Sequence, residues 1–408
     1  MDMKEKRRLS PLQKAILIGV LCIATYVANY YLRHMLSVFT PALTDKITGR
    51  FTEAQIGLLS STYMIFYAGG QLINGFLGDI ISPKKMIFTG LCVAGLMTLL
   101  FPYLPNQPLR LVNFAFLGYA LSMVRGPLMK TISENTEPKY ARVICVFFSF
   151  ASFAGPLIAS LFAMLFPERA AFAIAGGLAI VIVTVSTFVL YFLEKNQYVS
   201  YKKQEIKKVS SILGVFKLEN FAFYLTIACL VEIGAASVSF WIPKYLSDYL
   251  GFENDASNLI FSVISICRSF MPFVTLIIFT AIKERDILMM RVCFSLSSLL
   301  FLSMILVNNS LFNIILLILA LMALSSCSAL LWSIYIPGLG KTGRTSSVNG
   351  VLDCSGYIAA ALANMVFAMM STVDWKYVLM IWAGIGVIGV IATLFVRAKK
   401  QPDTAEKA

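Results

Sequence analysis

The chain is cut by short polar segments into twelve long apolar blocks, and that pattern constrains its fold more than any other feature. A helix needs roughly 20 mainly apolar residues to cross the hydrocarbon of a bilayer. The blocks predict helices at 14–43, 53–78, 86–104, 109–132, 140–166 and 169–193, then 218–247, 256–282, 287–307, 309–334, 345–371 and 375–397. Only 13% of the 408 residues are charged against 58% apolar, whereas soluble domains carry about 25% charged residues. So few charges cannot coat a water-soluble protein of this length, but a bilayer accepts apolar side chains facing outward. The polar stretch 194–217, with Lys195, Lys202, Lys203, Lys207, Lys208 and Lys217, has six blocks on either side. The expectation is an all-α membrane protein of twelve transmembrane helices in two six-helix bundles. Its units are residues 1–193, a basic cytoplasmic linker at 194–217, and residues 218–408.

A net charge of +13 could suggest a polyanionic partner, but its distribution points to topology. With the first residues inside, 25 of the 34 Lys and Arg fall in inner segments and six in outer ones, leaving Arg33, Arg125 and Arg268 within spans. This bias predicts that both ends of the chain are cytoplasmic, with no nucleic-acid partner. The first apolar block follows Lys4, Lys6, Arg7 and Arg8 and is too long for a cleaved signal segment, so it reads as an uncleaved helix. The eight cysteines all lie in apolar blocks without a Cys-x-x-Cys pair, and His34 is the sole histidine, so no metal or other cofactor is expected. Gly384 to Gly389 matches Gly-x-Gly-x-x-Gly, but inside an apolar helix with no preceding strand it reads as helix packing. Gly340-Lys341-Thr342 resembles the end of a P-loop, yet Tyr335 stands at the required first glycine. Transport without an ATPase site would draw on gradients. No nucleophile–base constellation appears, and an enzyme is not expected.

Gly75-Phe76-Leu77-Gly78-Asp79, followed by Lys84 and Lys85, falls between the second and third helices. It resembles the major facilitator signature Gly-x-Leu-x-Asp with its basic cluster. Glycines permit close helix approach, and the aspartate can cap or pair across a half-interface. The matching loop of the second half holds only Lys283-Glu284-Arg285-Asp286, a degraded copy. The resemblance implies substrate bound between the halves near mid-depth, with helices 3, 6, 9 and 12 peripheral. Charges within a membrane are costly and are functional candidates by default. Arg33, Arg125, Glu232, Arg268 and Asp353 all fall on helices of the cavity-lining kind. The plainer alternative is an inter-helix ion pair that locks the bundle, as between Arg268 and Asp353.

Tyr26, Asn29, Tyr30, Arg33 and Ser37 recur at helical spacing and form a polar aromatic stripe. The planar fork of arginine suits phosphate or carboxylate. The stretch Tyr30-Tyr31-Leu32-Arg33 resembles the first helix of the organophosphate:phosphate antiporter family. Asn74-Gly75 through Pro83, Pro127-Leu128-Met129-Lys130-Thr131 and Trp241-Ile242-Pro243-Lys244-Tyr245-Leu246 extend the likeness. It implies exchange of a sugar phosphate or related organophosphate for phosphate. Two cations of that family are replaced: Gln71 stands for the lysine of helix 2 and Ala235 for the arginine of helix 7, with Glu232 a turn away.

The expected function is therefore secondary active transport of a small organic anion. Arg33, Tyr30, Asn29, Arg125, Arg268 and Gln71 are the candidate substrate contacts. Glu232 and Asp353 are candidates for proton coupling or charge balance, and Gly75, Gly78, Asp79, Lys84 and Lys85 for a conformational motif. Competing readings are a proton-coupled carrier of a carboxylate or zwitterion, a non-transporting sensor of sugar phosphate, and an exporter of lipophilic or cationic compounds. The setting expected is a bacterial inner membrane, with a monomer in the lipid bilayer.

Overall fold

Short-range signals at the block ends set the helix limits. Thr52 and Gln55 form a reciprocal capping box that starts α2 (Glu53–Ile80). Pro83 and Pro138 occupy the first turn of α3 (Pro83–Leu100) and α5 (Pro138–Leu165), where the missing N–H costs nothing. Side-chain caps from Asn106, Asn309 and Asp374 start α4 (Gln107–Asn135), α10 (α-helical over Ser310–Ala329) and α12 (Trp375–Leu394). With α1 (Pro11–Leu43), α6 (Glu168–Lys195), α8 (Asn254–Ala281), α9 (Asp286–Leu306) and α11 (Thr345–Ser371), these are the regular rods.

Two rods are irregular. α7 runs as α-helix over Phe221–Glu232 and Ser239–Lys244, each followed by wider π-helical turns, Ile233–Val238 and Tyr245–Tyr249. α10 is α-helical over Ser310–Ala329, π-helical over Leu330–Tyr335, and ends in tighter turns through Thr342. Gly343 (φ 69°) then turns the chain in the left-handed region that glycine tolerates.

This computed structural model describes residues 10–43, 51–201, 215–252, 254–371 and 374–395. Lys202, Lys203, Lys207 and Lys208 of the linker lie outside the described residues, as do the first and last cations of the chain. Twelve rods, within a few residues of the predicted spans, are present among the described residues. Eight of them are long and apolar enough to cross a membrane by length and composition. Their outward faces carry large apolar side chains such as Val185, Phe188, Leu299 and Ile388.

Within the first six rods α2 packs on α4, α1 on α5 and α3 on α6; within the second, α9 packs on α12 and α10, and α7 on α11. Glycine sets the closest approaches. A Cβ on Gly176 would lie 2.4 Å from the Gly95 carbonyl, and one on Gly386 2.6 Å from that of Phe294. Gly386 and Gly389 of the Gly-x-Gly-x-x-Gly run thus face α9, while Gly384 has nothing within 4 Å. Buried polar groups join the rods: Thr25 Oγ1 to Ser186 Oγ at 3.0 Å, Asn74 Nδ2 to Ser122 Oγ at 2.7 Å, and Tyr245 Oη to Asn313 Oδ1 at 2.8 Å.

The two halves meet through α2, α4 and α5 on one side and α8, α10 and α11 on the other. The seam is tightest at the face that carries the α2–α3 turn and the described ends of the linker, here the linker face. A Cβ on Gly75 would lie 2.8 Å from Gly350 Cα, and one on Gly78 2.1 Å from Ser346 Oγ. Asp79 crosses the seam, its two carboxylate oxygens accepting the Ser346 and Ser347 N–H groups at 3.1 and 3.0 Å. Lys130, inside the predicted span 109–132, is buried in α4 and donates to the carbonyls of Gly78 and Asp79 at 3.2 and 2.8 Å. Arg142 of α5 pairs with Glu284, which sits in the α8–α9 turn with φ 60°. Lys84 pairs with Glu194, and Lys85 is exposed.

Two tests follow from this seam. Gly350→Ala would push a Cβ to 2.3 Å from the Gln71 carbonyl oxygen, an overpacking that costs about 1–3 kcal/mol. It should lower thermal stability and raise thiol labelling of a Ser133→Cys reporter several-fold. Gly384→Ala, with nothing within 4 Å of its Cβ, should leave both unchanged. The hydrogen bond from Arg142 holds the Glu284 carboxyl below the ordinary glutamate range. The contribution of a depressed group is complete above its ordinary range and is lost as pH falls through its folded-state value. The stability difference between wild type and Glu284→Gln should therefore be constant at neutral pH and vanish in acid.

Candidate functional site

A cavity of about 360 Å³ lies between the halves. α1, α4 and α5 form one wall with Tyr26, Tyr30, Arg125 and Phe148. α7, α8, α10 and α11 form the other with Glu232, Arg268, Trp332 and Tyr357. The wall of α8 and α10 is hydroxyl-rich, with Ser265, Ser269, Ser325 and Ser328.

The five charged groups singled out within the spans have different surroundings. Arg125 Nη1 donates to Asp353 Oδ1 at 2.6 Å across the seam, and its guanidinium lies 4.2 Å from the Trp332 ring centre. Asp353 is fully buried, and its second oxygen accepts Asn349 Nδ2 at 3.1 Å. The pair thus joins α4 to α11, and Asp353 is engaged by Arg125 rather than by Arg268. Arg268 donates from Nε to Ser325 Oγ at 3.1 Å. Glu232 packs its stem against Gly356, where a Cβ would come within 2.4 Å of Glu232 Cγ. Among the described residues its carboxylate makes no hydrogen bond or ion pair, and it faces the cavity.

Arg33 is met by rings instead of an acid. Its guanidinium lies 5.0 Å from the ring centre of Tyr67, 5.7 Å from Tyr357 and 6.0 Å from both Tyr30 and Tyr63. Its Nη1 donates to the Tyr357 hydroxyl at 3.1 Å. Ring faces attract a cation electrostatically, so Arg33 keeps its full charge without a carboxylate. It stands one layer from the cavity wall, behind Tyr30 and Tyr357.

The structure brings together Tyr30, Arg125, Arg268 and Glu232 on the cavity, with Asp353 behind Arg125 and Arg33 behind the tyrosines. It separates Asn29, whose amide donates to the Leu121 carbonyl at 2.9 Å, and Gln71, which is buried at the α2–α11 seam. Gly75, Gly78 and Asp79 are at the linker-face seam, away from the cavity. Sequence reasoning passed over Tyr63, Tyr67 and Tyr357, the Trp332 ring, Asn349 and the serine wall. The i, i+4 pairs Tyr63–Tyr67 and Ser265–Ser269 within apolar helices were the signal available.

The Major Facilitator Superfamily model matches residues 22–364. The "Probable sulfoacetate transporter SauU" of Cupriavidus necator is 29% identical over 85 residues, 21% of this chain and 19% of that protein. A "Probable hexose phosphate transport protein" of Chlamydia muridarum is 28% identical over 94 residues, 23% of this chain and 20% of that protein. The matched stretches span about a fifth of the length of these relatives. Among solved structures, the proton:xylose symporter XylE bound to 6-bromo-6-deoxy-D-glucose superposes with a TM-score of 0.69 at 10% identity, over 95% of this chain and 97% of that one. FucP in the outward conformation gives 0.72 at 13%, over 94% and 100%. A bacterial homologue of ferroportin in the outward-facing state gives 0.74 at 12%, over 92% and 98%. At these identities the likeness concerns the fold.

Breaking a buried ion pair from one side strands the other charge and costs about 3–5 kcal/mol. Asp353→Asn should therefore lower the unfolding temperature more than the double change Arg125→Met with Asp353→Leu. Thermal unfolding of the three purified proteins measures the difference directly.

Proposed function

The chain belongs to the Major Facilitator Superfamily, and on that premise we propose that it is a secondary active transporter of a small organic anion, working by alternating access. It is an integral multi-pass membrane protein. The observation that carries the reading is the placement of two arginines from opposite halves, Arg125 of α4 and Arg268 of α8, on one cavity. An anion held by Arg268 against the wall of the first half, where Arg125 is paired with Asp353, would couple its own binding to the relative position of the halves, which is what alternating access requires. Arg33 adds a third positive charge one layer away. Against these stand Glu232 and Asp353, so the five groups sum to one positive charge. The two relatives named above move or are ascribed anions, a sulfonated carboxylate and a sugar phosphate. The substrate class proposed is accordingly that of small phosphoesters, sulfonates and carboxylates, with exchange of a sugar phosphate for phosphate as one member. The lysine and arginine bias further supports placing the linker face in the cytoplasm.

Flux into proteoliposomes tests the proposal. Purified protein should accumulate labelled members of this class by counterflow, and binding without flux would mark a sensor instead. Arg268→Lys retains charge but loses the planar fork. A hydrogen bond to a charged group is worth about 1.5–3 kcal/mol, so the variant should lose roughly 10- to 100-fold in transport efficiency while folding normally. Arg33→Lys should likewise insert and fold yet lose most transport. Near-normal uptake by both variants would remove the arginines from substrate recognition.

A further inference from the structure

Within the anion reading, on which this inference rests, we infer that the substrate also carries a protonated amine, which Glu232 receives. The reasoning begins with what the cavity wall offers a solute. Arg125 is already neutralised by Asp353 at 2.6 Å, and Asp353 itself is sealed from the cavity. Arg268 and Glu232 are the other charged side chains on the wall. Arg268 stands on α8 beside Ser325, whose oxygen accepts the Arg268 Nε–H and whose own O–H can meet an acidic group, while the Ser265 and Ser269 hydroxyls donate to the Phe261 and Ser265 carbonyls. Glu232 stands on α7 against Gly356 of α11, beside Tyr357.

A carboxylate left without a protein partner at membrane depth is costly. Here it has no hydrogen bond or ion pair among the described residues, and the guanidiniums of Arg125, Arg33 and Arg268 act on it only from a distance. A solute ammonium would satisfy it. Gly356 fits this account. Any side chain there would displace the Glu232 stem, so the glycine leaves room for the acid to lie along the wall. The cavity therefore presents one anion-binding pole and one cation-binding pole. A volume of about 360 Å³ lies near the lower end of small-molecule sites. The chemical class that matches both poles and this volume is a short aliphatic zwitterion with one amine and one acidic group. A purely anionic dianion would meet Glu232 as a like charge, which disfavours it.

The test uses pairs of probes that differ only by the amine: taurine with ethanesulfonate, O-phosphoethanolamine with ethyl phosphate, and β-alanine with propionate. Stabilisation of the full-length protein by each compound reads binding by mass action. In wild type, the amine-bearing member of at least one pair should bind about tenfold or more tightly than its partner, the scale of one charge-assisted hydrogen bond. Glu232→Gln should equalise that pair, and Glu232→Asp should retain the preference. Amine-free acids binding as well as or better than their partners would overturn the inference and leave the anion reading intact. A preference that persists in Glu232→Gln would also overturn it. Binding of none of the six compounds would overturn both. The wild-type panel decides the matter even if the variants do not fold.

Discussion

The Asp79 carboxylate, reaching from the first half to accept two N–H groups at the start of α11, is the contact on which the rest of the arrangement depends. A helix start carries partial positive charge and unsatisfied donors, and α11 has its own satisfied by a residue of the other half. The reach works only because the backbones nearly touch at Gly75 and Gly350, and because Gly78 leaves room for Ser346. Lys130 strengthens the same corner by capping the last carbonyls of α2. The signature glycines and aspartate lie at the linker-face seam, apart from the cavity.

Three arginines at membrane depth are accommodated in three ways. Arg125 is neutralised by an acid, Arg33 is surrounded by tyrosine rings, and Arg268 leans on a serine wall. The first removes a net charge from the cavity, while the second preserves one, since a ring quadrupole attracts a cation without cancelling it. The field felt by a solute is therefore set less by the number of arginines than by the partner each has found. The Arg125–Asp353 pair has a further role, since it also ties α4 to α11.

Most of the architecture was legible in the sequence. Block lengths and local caps determine helix ends, so the predicted 345–371 coincides with α11 and 53–78 falls two residues short of α2. The five charges within the spans were identifiable because charge in an apolar run is conspicuous. Their partners were not. Tyr63, Tyr67 and Tyr357 come to Arg33 from two other helices, and beyond the i, i+4 spacing of Tyr63 and Tyr67 nothing local points to Arg33. The choice of Arg125 over Arg268 by Asp353 depends on which face of α11 turns toward α4. Asn29 shares the stripe of Tyr26 and Tyr30, yet a small rotation directs it to a backbone carbonyl. Helical periodicity gives a stripe about 100° wide or more, too coarse to separate a cavity residue from its neighbour at the packing edge.

The π-helical turns bear on a different matter, the transfer of residue roles between relatives. A π-helical turn accommodates an additional residue, and each residue added to a helix rotates everything beyond it by about 100°. In α7 the widened turns begin at Ile233, immediately after Glu232. Positions before and after that point therefore follow two different angular registers. An ungapped comparison anchored on Trp241 carries the wrong register back to Ala235 and Glu232 in any relative that lacks the widening. Functional equivalence along this helix is a matter of which face a residue occupies, and counting along the chain will misassign it.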